Sequence, residues 1–229
     1  NSANRPELER SYIDMLRRNM VDGVIVNSLN IGAEAYAEMG LSLVGIDCDL
    51  GEASVQIASD SYSIGELATR RLIDDGCSRI LCLRSNSRMR MPANKRTDAY
   101  LDVVEQAGLP ALVREVEFVK PDDEKSAVVA KILDENPDID GIFAGDDTMA
   151  AICLNVMKQR GLSAPGDIKV VGADGARRTM TFMPDLTTVR QDIDRIGELA
   201  AQSIIALING EKPESNIKLP VELIEGKTA

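Results

Sequence analysis

No histidine occurs anywhere in the 229 residues, and no tryptophan. The missing histidine removes the commonest general base, the Ser-His-Asp and Cys-His nucleophile arrangements, and most zinc sites. An enzyme built from this chain would have to run on carboxylates, lysine, tyrosine or a cofactor. Aromatic residues make up only 3% of the chain, so a sugar site with a flat aromatic wall is poorly supplied. Phe182 is the candidate wall, with a core or loop role as its plainer reading. No apolar run approaches the roughly 20 residues that span a bilayer. The first residues, NSANRPELER, lack the basic-then-apolar layout of a secretory signal and carry no initiator Met, which reads as a processed chain or a fragment. Cys48, Cys77, Cys82 and Cys153 have no CxxC or other metal-like spacing and lie in or beside apolar segments. They read as reduced core thiols rather than a disulfide framework. Neither a metal nor a cofactor is expected.

Positive charge is also short. Against 37 acidic residues stand 26 basic ones, a net charge of −11. Such a surface repels phosphate backbones, so this chain by itself is a poor reader of nucleic acid. What is present is an ordinary globular balance, 44% hydrophobic and 28% charged, in a chain long enough for one large or two modest domains.

Strand-like runs alternate with segments of helical period. VDGVIV (21–26) precedes a helical IGAEAYAEMG (31–40), then come LSLVGID (41–47) and SVQIASD (54–60). A helix is expected near 62–75, where Ile64, Leu67, Ala68 and Leu72 share one face. RILCLRS (79–85), a helix near 93–107, ALVREVEFV (111–119) and a helix near 122–135 follow. GIFAG (141–145), a helix near 148–160, IKVVGAD (168–174), a strand at 186–189 and a helix near 192–209 complete the series. The alternation predicts an α/β chain of βαβ units with parallel sheets covered on both faces. Polar crossings at 85–94, near 183–192 and at 209–215 predict two lobes tied by a multi-strand hinge. The lobes are expected to comprise 1–85 with 190–210, and 86–189 with 211–229.

Ligands of open parallel sheets bind beyond the carboxyl ends of the strands. Three strands end there in polar groups. GIFAG runs into Asp146-Asp147, IKVVGA ends in Asp174, and RILCLRS runs into Ser85-Asn86-Ser87 ahead of a helix carrying Arg96. Asp147 reads as the N-cap of the helix near 148, which leaves Asp146 to face the cleft. Asp174 reads either as a ligand contact or as a turn residue before Gly175, and Arg96 as a contact or a solvated helix residue. Carboxylates accept hydroxyl hydrogens and a guanidinium donates in a fixed fork, so the set suits a neutral polyol. GKT at 226–228 lacks the upstream glycine of a phosphate loop, and Gly172-Ala-Asp-Gly175 lacks the third glycine of a dinucleotide fingerprint. A carboxylate pair of Asp146 and Asp174 would also be compatible with a glycosidase.

From about residue 12 onward the chain resembles the effector-binding core of the lactose-repressor (LacI/GalR) transcription regulators. The resemblance rests on VDGVIV, ASDSYSIGELATRRLIDDGCSRI, KRTDAY, FAGDDTMAA, GLSAPGDIKVVGAD, PDLTTVRQDIDRIGELAAQSIIALING and IKLPVELI, in that order. It implies a periplasmic-binding-protein-like fold, a small effector held in the interlobe cleft, and effector contacts by Arg96, Asp146, Asp174 and Gln191. Three positions depart from the family pattern: Ala99 for a usual Gly, Asp146 for a usual Asn, and Cys77 for a usual His. By resemblance the chain is a repressor fragment, without the helix-turn-helix region and the first strands of the N-terminal lobe. The implied protein is a cytoplasmic homodimer, not an enzyme, that contacts DNA only through the missing region and senses a sugar or polyol. A sugar-binding component of a transporter shares the fold and is the alternative.

Overall fold

All four residues of the strand Gly141–Ala144 are buried, as expected in mid-sheet with both faces covered. The structure, a computed structural model, describes residues 6–18, 21–28, 42–48, 50, 54–85, 92–117 and 120–229. The expected helix at 31–40, and most of the crossing at 85–94, lie outside these residues.

The described elements run α1 (Pro6–Arg17), β1 (Gly23–Val26), β2 (Ser42–Ile46), β3 (Val55–Ser59), α2 (Ser61–Asp74), β4 (Ile80–Arg84) and α3 (Lys95–Gln106). They continue with β5 (Leu112–Glu115), α4 (Asp122–Glu135), β6 (Gly141–Ala144), α5 (Asp147–Gln159), β7 (Lys169–Asp174) and α6 (Arg177–Phe182). The last are β8 (Thr187–Gln191), α7 (Ile193–Ile208), β9 (Asn216–Leu219) and β10 (Val221–Ile224). Local sequence sets the helix ends. Asp60 and Asp192 cap α2 and α7 by accepting from the amides of Ser63 and Arg195. Gly76 and Gly210, both at positive φ, follow their last turns.

The strands form two sheets. The first has the order β1-β2-β3-β9, parallel throughout. The second has the order β10-β8-β7-β6-β4-β5, parallel except for the antiparallel β10–β8 edge. The chain divides accordingly into Asn1–Ser59, Met89–Pro92 and Asp192–Leu219, and Asp60–Arg88, Ala93–Gln191 and Pro220–Ala229, each taken over its described residues.

These boundaries differ from the sequence expectation. Residues 60–85, expected in the first lobe, belong with the second sheet: β4 pairs with β5 and β6, and Ile64, Ala68 and Leu72 of α2 pack on Cys82, Phe143 and Val171. The closing residues 211–229, expected in one lobe, divide at Leu219/Pro220, with β9 paired to β3 and β10 to β8. Periodicity reports that a strand exists; it carries no information on which sheet the strand joins.

Side chains alternate across the second sheet. Leu81, Leu83, Ile142, Ala144 and Val170 join one core with α4 and α5. Ile80, Cys82, Phe143, Val171, Ala173 and Val189 join the other with α2 and α3. In the first sheet, Val44, Val55 and Ile57 pack on Ile196 and Ala200 of α7, while Val26, Leu43, Cys48 and Leu50 fill the opposite face. All four cysteines are buried thiols that form no disulfide among the described residues, and burial pushes those of Cys82 and Cys153 up to about 12. No described helix is long and apolar enough to cross a membrane.

Candidate functional site

The order β7-β6-β4-β5 contains a reversal. From β4 the chain goes outward to β5 and then returns to the opposite neighbour, β6. At such a switch point the loops leave in opposite directions and open a crevice beyond the carboxyl ends of the strands. Arg96, Asp146 and Asp174 follow or end β4, β6 and β7 at that edge.

Arg96 is the second residue of α3, and its side chain is only 11% exposed. Nη1 donates to the Gly145 carbonyl at 2.5 Å and Nη2 to Asp174 Oδ1 at 3.3 Å. Nε is buried with no hydrogen-bond partner among the described residues. The guanidinium therefore bridges the reversal, from the β4 side to β6 and β7. Its backbone is set by α2, because a Cβ at Gly65 would overlap the Arg96 carbonyl.

Asp174 closes β7 with φ +118, a conformation that L side chains rarely adopt. Strain of this kind costs of order 1–3 kcal/mol and gathers at functional sites. Its Oδ1 accepts from Arg96 and from Gln191 Nε2 at 2.5 Å, which leaves Oδ2 without a partner among the described residues. Burial pushes the Asp174 carboxyl up to about 6; Arg96 opposes the rise, the charges of Asp146 and Asp147 add to it, and the Gln191 hydrogen bond opposes it. The following Gly175 must be glycine: its φ is +58, and a Cβ would sit 2.8 Å from Arg190 Cα.

The helix cap expected of Asp147 belongs to Asp146, and Asp147 is buried instead. Asp146, not Asp147, is the N-cap of α5: its Oδ1 accepts from the Met149 amide at 2.7 Å. Asp147 is 4% exposed. Its Oδ1 accepts from Thr188 Oγ1 at 2.6 Å and its Oδ2 from the Gly175 amide at 2.8 Å. Burial raises its carboxyl above the usual range, with the two hydrogen bonds opposing. The helix starts one residue earlier than its apolar periodicity suggested, and that shift alone reverses the assignment.

Of the four residues singled out in the sequence, Arg96, Asp174 and Gln191 thus form one bonded group, while Asp146 stands beside it on the β6–α5 turn. Sequence reasoning missed Thr188, the Gly145 carbonyl and the two hydrogen bonds of Asp147. Ser85, just after β4, also keeps a buried hydroxyl with no partner among the described residues. Phe182 is 74% exposed at the end of α6 and contributes nothing to the core. Among the described residues no group of His, Cys, Asp and Glu side chains is arranged to hold a metal ion.

The periplasmic binding protein-like domain family matches residues 69–229. A sucrose operon repressor of Pediococcus pentosaceus is 34% identical over the whole of this chain and 71% of its own length. A ribose operon repressor of Halalkalibacterium halodurans is 30% identical over 97% of this chain and 66% of its own. The cellobiose complex of the transcriptional regulator CelR superposes with a TM-score of 0.86 at 27% identity, covering 98% of this chain and 71% of that one. A periplasmic binding protein/LacI transcriptional regulator from Alkaliphilus metalliredigens complexed with D-xylulofuranose gives 0.84 at 25% identity, covering 99% and 84%. With its parallel sheets and this extent of similarity, the chain belongs to the periplasmic-binding-protein-like family as the effector-binding core of a LacI-type transcriptional regulator.

Proposed function

We propose that this chain senses a small, uncharged sugar or polyol at the carboxyl edge of its second sheet and thereby controls DNA binding by a helix-turn-helix domain of the full regulator. The observation that carries the reading is the Arg96–Asp174–Gln191 group. A carboxylate on a strained backbone is held by two donors through one oxygen, with its second oxygen left open among the described residues. An open carboxylate oxygen accepts a ligand hydroxyl, and the charge makes that bond stronger than a neutral one. Asp146 adds a second acceptor, where an asparagine could also have donated. Relatives named for sucrose and ribose operons, and neighbours holding cellobiose and D-xylulofuranose, support a sugar.

The regulator works in the cytoplasm as a homodimer and turns nothing over. Its effector acts by binding one conformation better than another, and so shifts the population that grips DNA. Thermal unfolding against sucrose, ribose, cellobiose and xylulose tests this reading. A sugar at about a hundred times its Kd should add roughly 2.7 kcal/mol of stability, and Asp174→Ala should abolish the shift. No shift with any of the sugars, or hydrolysis of the bound sugar, overturns the proposal.

A further inference from the structure

We infer that Asp147, which no part of the sensing site yet requires, is a positioning residue that holds Asp174 in its strained, ligand-ready orientation. The inference rests on the sugar-sensing reading of the site and adds the residue that builds it.

A carboxylate this deeply buried needs full hydrogen bonding to be tolerated. Capping does not explain its presence, since Asp146 already caps α5. Both of its oxygens are used, and both partners belong to the elements that carry the binding group. The Gly175 amide is the peptide that leaves Asp174, so the 2.8 Å bond from that N–H to Asp147 fixes the rotation of the Asp174–Gly175 unit. Thr188 stands three residues before Gln191 on β8, so the 2.6 Å bond from its hydroxyl ties the strand that carries the second donor.

The surroundings are shaped to admit this side chain. Gly172 lies opposite Thr188 in the β7–β8 ladder, and a Cβ there would stand 2.5 Å from Asp147 Oδ1. Thr188 itself is fully buried. One carboxylate, one missing Cβ and one hydroxyl therefore lock α5, β7 and β8 together directly beneath Asp174. The charged groups facing Asp174 are Arg96, Asp146 and Asp147; Arg190, its ladder neighbour, is drawn to Glu222 at 3.1 Å. Asp147 thus acts on Asp174 in two ways, through the Gly175 peptide and as a like charge.

The test compares the wild type with Asp147→Ala and Asp147→Asn. Affinity is measured from about pH 5 to 8 for whichever of ribose, sucrose, cellobiose or xylulose stabilises the wild type most. The Gly175 amide is followed by NMR hydrogen exchange without sugar. Alanine frees the Gly175 N–H and should weaken sugar binding about 5- to 100-fold, with faster Gly175 exchange. Asparagine keeps an oxygen for that N–H and an NH2 for Thr188, so affinity near neutral pH should return to within about threefold of wild type. Removing the like charge should at the same time move the loss of binding to lower pH, which a purely structural role would not do. A folded Asp147→Ala with wild-type affinity, or an unchanged pH midpoint in Asp147→Asn, overturns the inference. If the wild type binds none of these sugars, the sensing proposal fails on its own, and Gly175 exchange still decides whether Asp147 holds that peptide. Should Asp147→Ala not fold, Asp147→Asn decides by its pH midpoint.

Discussion

The two ends of the second sheet are built from similar residues and solved differently. At the amino end, Asp140 precedes β6 and takes three bonds at 2.8–2.9 Å, from the Ser78 amide and hydroxyl and the Arg79 amide. Tyr100 is wholly buried beside it, donating to the Ile80 carbonyl at 2.7 Å and accepting from the Leu112 amide at 2.8 Å. Burial pushes its phenol up to about 12, so it stays neutral and fully bonded. Even Arg79 Nε has Asp138 within 3.2 Å. At the carboxyl end the backbone of the aspartate is strained, and among the described residues one of its oxygens is open and Arg96 Nε and Ser85 Oγ are buried without partners. Unsatisfied buried groups cost stability. Open polar groups at the carboxyl end, against hydrogen-bonded or ion-paired ones at the amino end, fit the proposal that one end holds the fold and the other receives a ligand.

The largest effect that would test this contrast is Asp140→Ala. It removes a charged acceptor from three donors, two of them on the exposed Ser78 where water can replace it, and should lower unfolding free energy by about 2 kcal/mol. Sugar affinity at the opposite end should not change. Urea unfolding and calorimetric titration check the two halves, and a loss of affinity as large as the loss of stability would erase the distinction between the ends.

A smaller effect comes from pH, and its sign is opposite for binding and for stability. The folded pKa of Asp174, about 6, lies above the ordinary 3.8, so between these values the fold holds the proton more tightly than the unfolded chain does. The contribution of this group to stability therefore rises as pH falls through about 6 and is lost above it. Because a third of the side chain is exposed, water screening reduces that gain well below what full burial would give. Sugar affinity should go the other way. If the ionised carboxylate is the acceptor, affinity falls about tenfold by pH 5, one unit below that pKa. Titrations across this range, with Asp174→Asn as a control in which both trends flatten, measure the two slopes independently.

Much of this arrangement is legible in the sequence. The apolar runs ending in Asp146-Asp147 and Asp174 mark the edge proposed as the site, because parallel strands gather their carboxyl ends along one edge. Arg96 entered through its place after β4 at that same edge, although an arginine on a helix looks solvated; Gln191, at a strand end, was raised only by motif resemblance. Thr188 gave no signal, since a buried β-branched residue in TTV is what any strand would use. The move of the cap from Asp147 to Asp146 turned on a one-residue shift in the start of α5, finer than a 3.6-residue period can fix. Assignment of β4 and β9 to their sheets depended on pairing between distant segments, which no local pattern records.

The smallest effect, and the sharpest on strain, compares Asp174→Gly with Asp174→Ala. Both remove the carboxylate, so both should lose sugar binding equally, and both relieve the burial of its charge. They differ at φ +118, where alanine keeps the strain of an L side chain and glycine does not. If the carboxyl end of the sheet stores backbone strain, the glycine variant should be the more stable by about 1 kcal/mol, even after the extra entropy that glycine loses on folding. The same exchange at Asp140, which is not among the described residues with positive φ, should favour alanine instead. Paired urea unfolding of the four variants gives both differences directly. Equal ordering at the two positions would mean that the strained geometry of Asp174 is imposed by its side-chain partners and relaxes once they are gone.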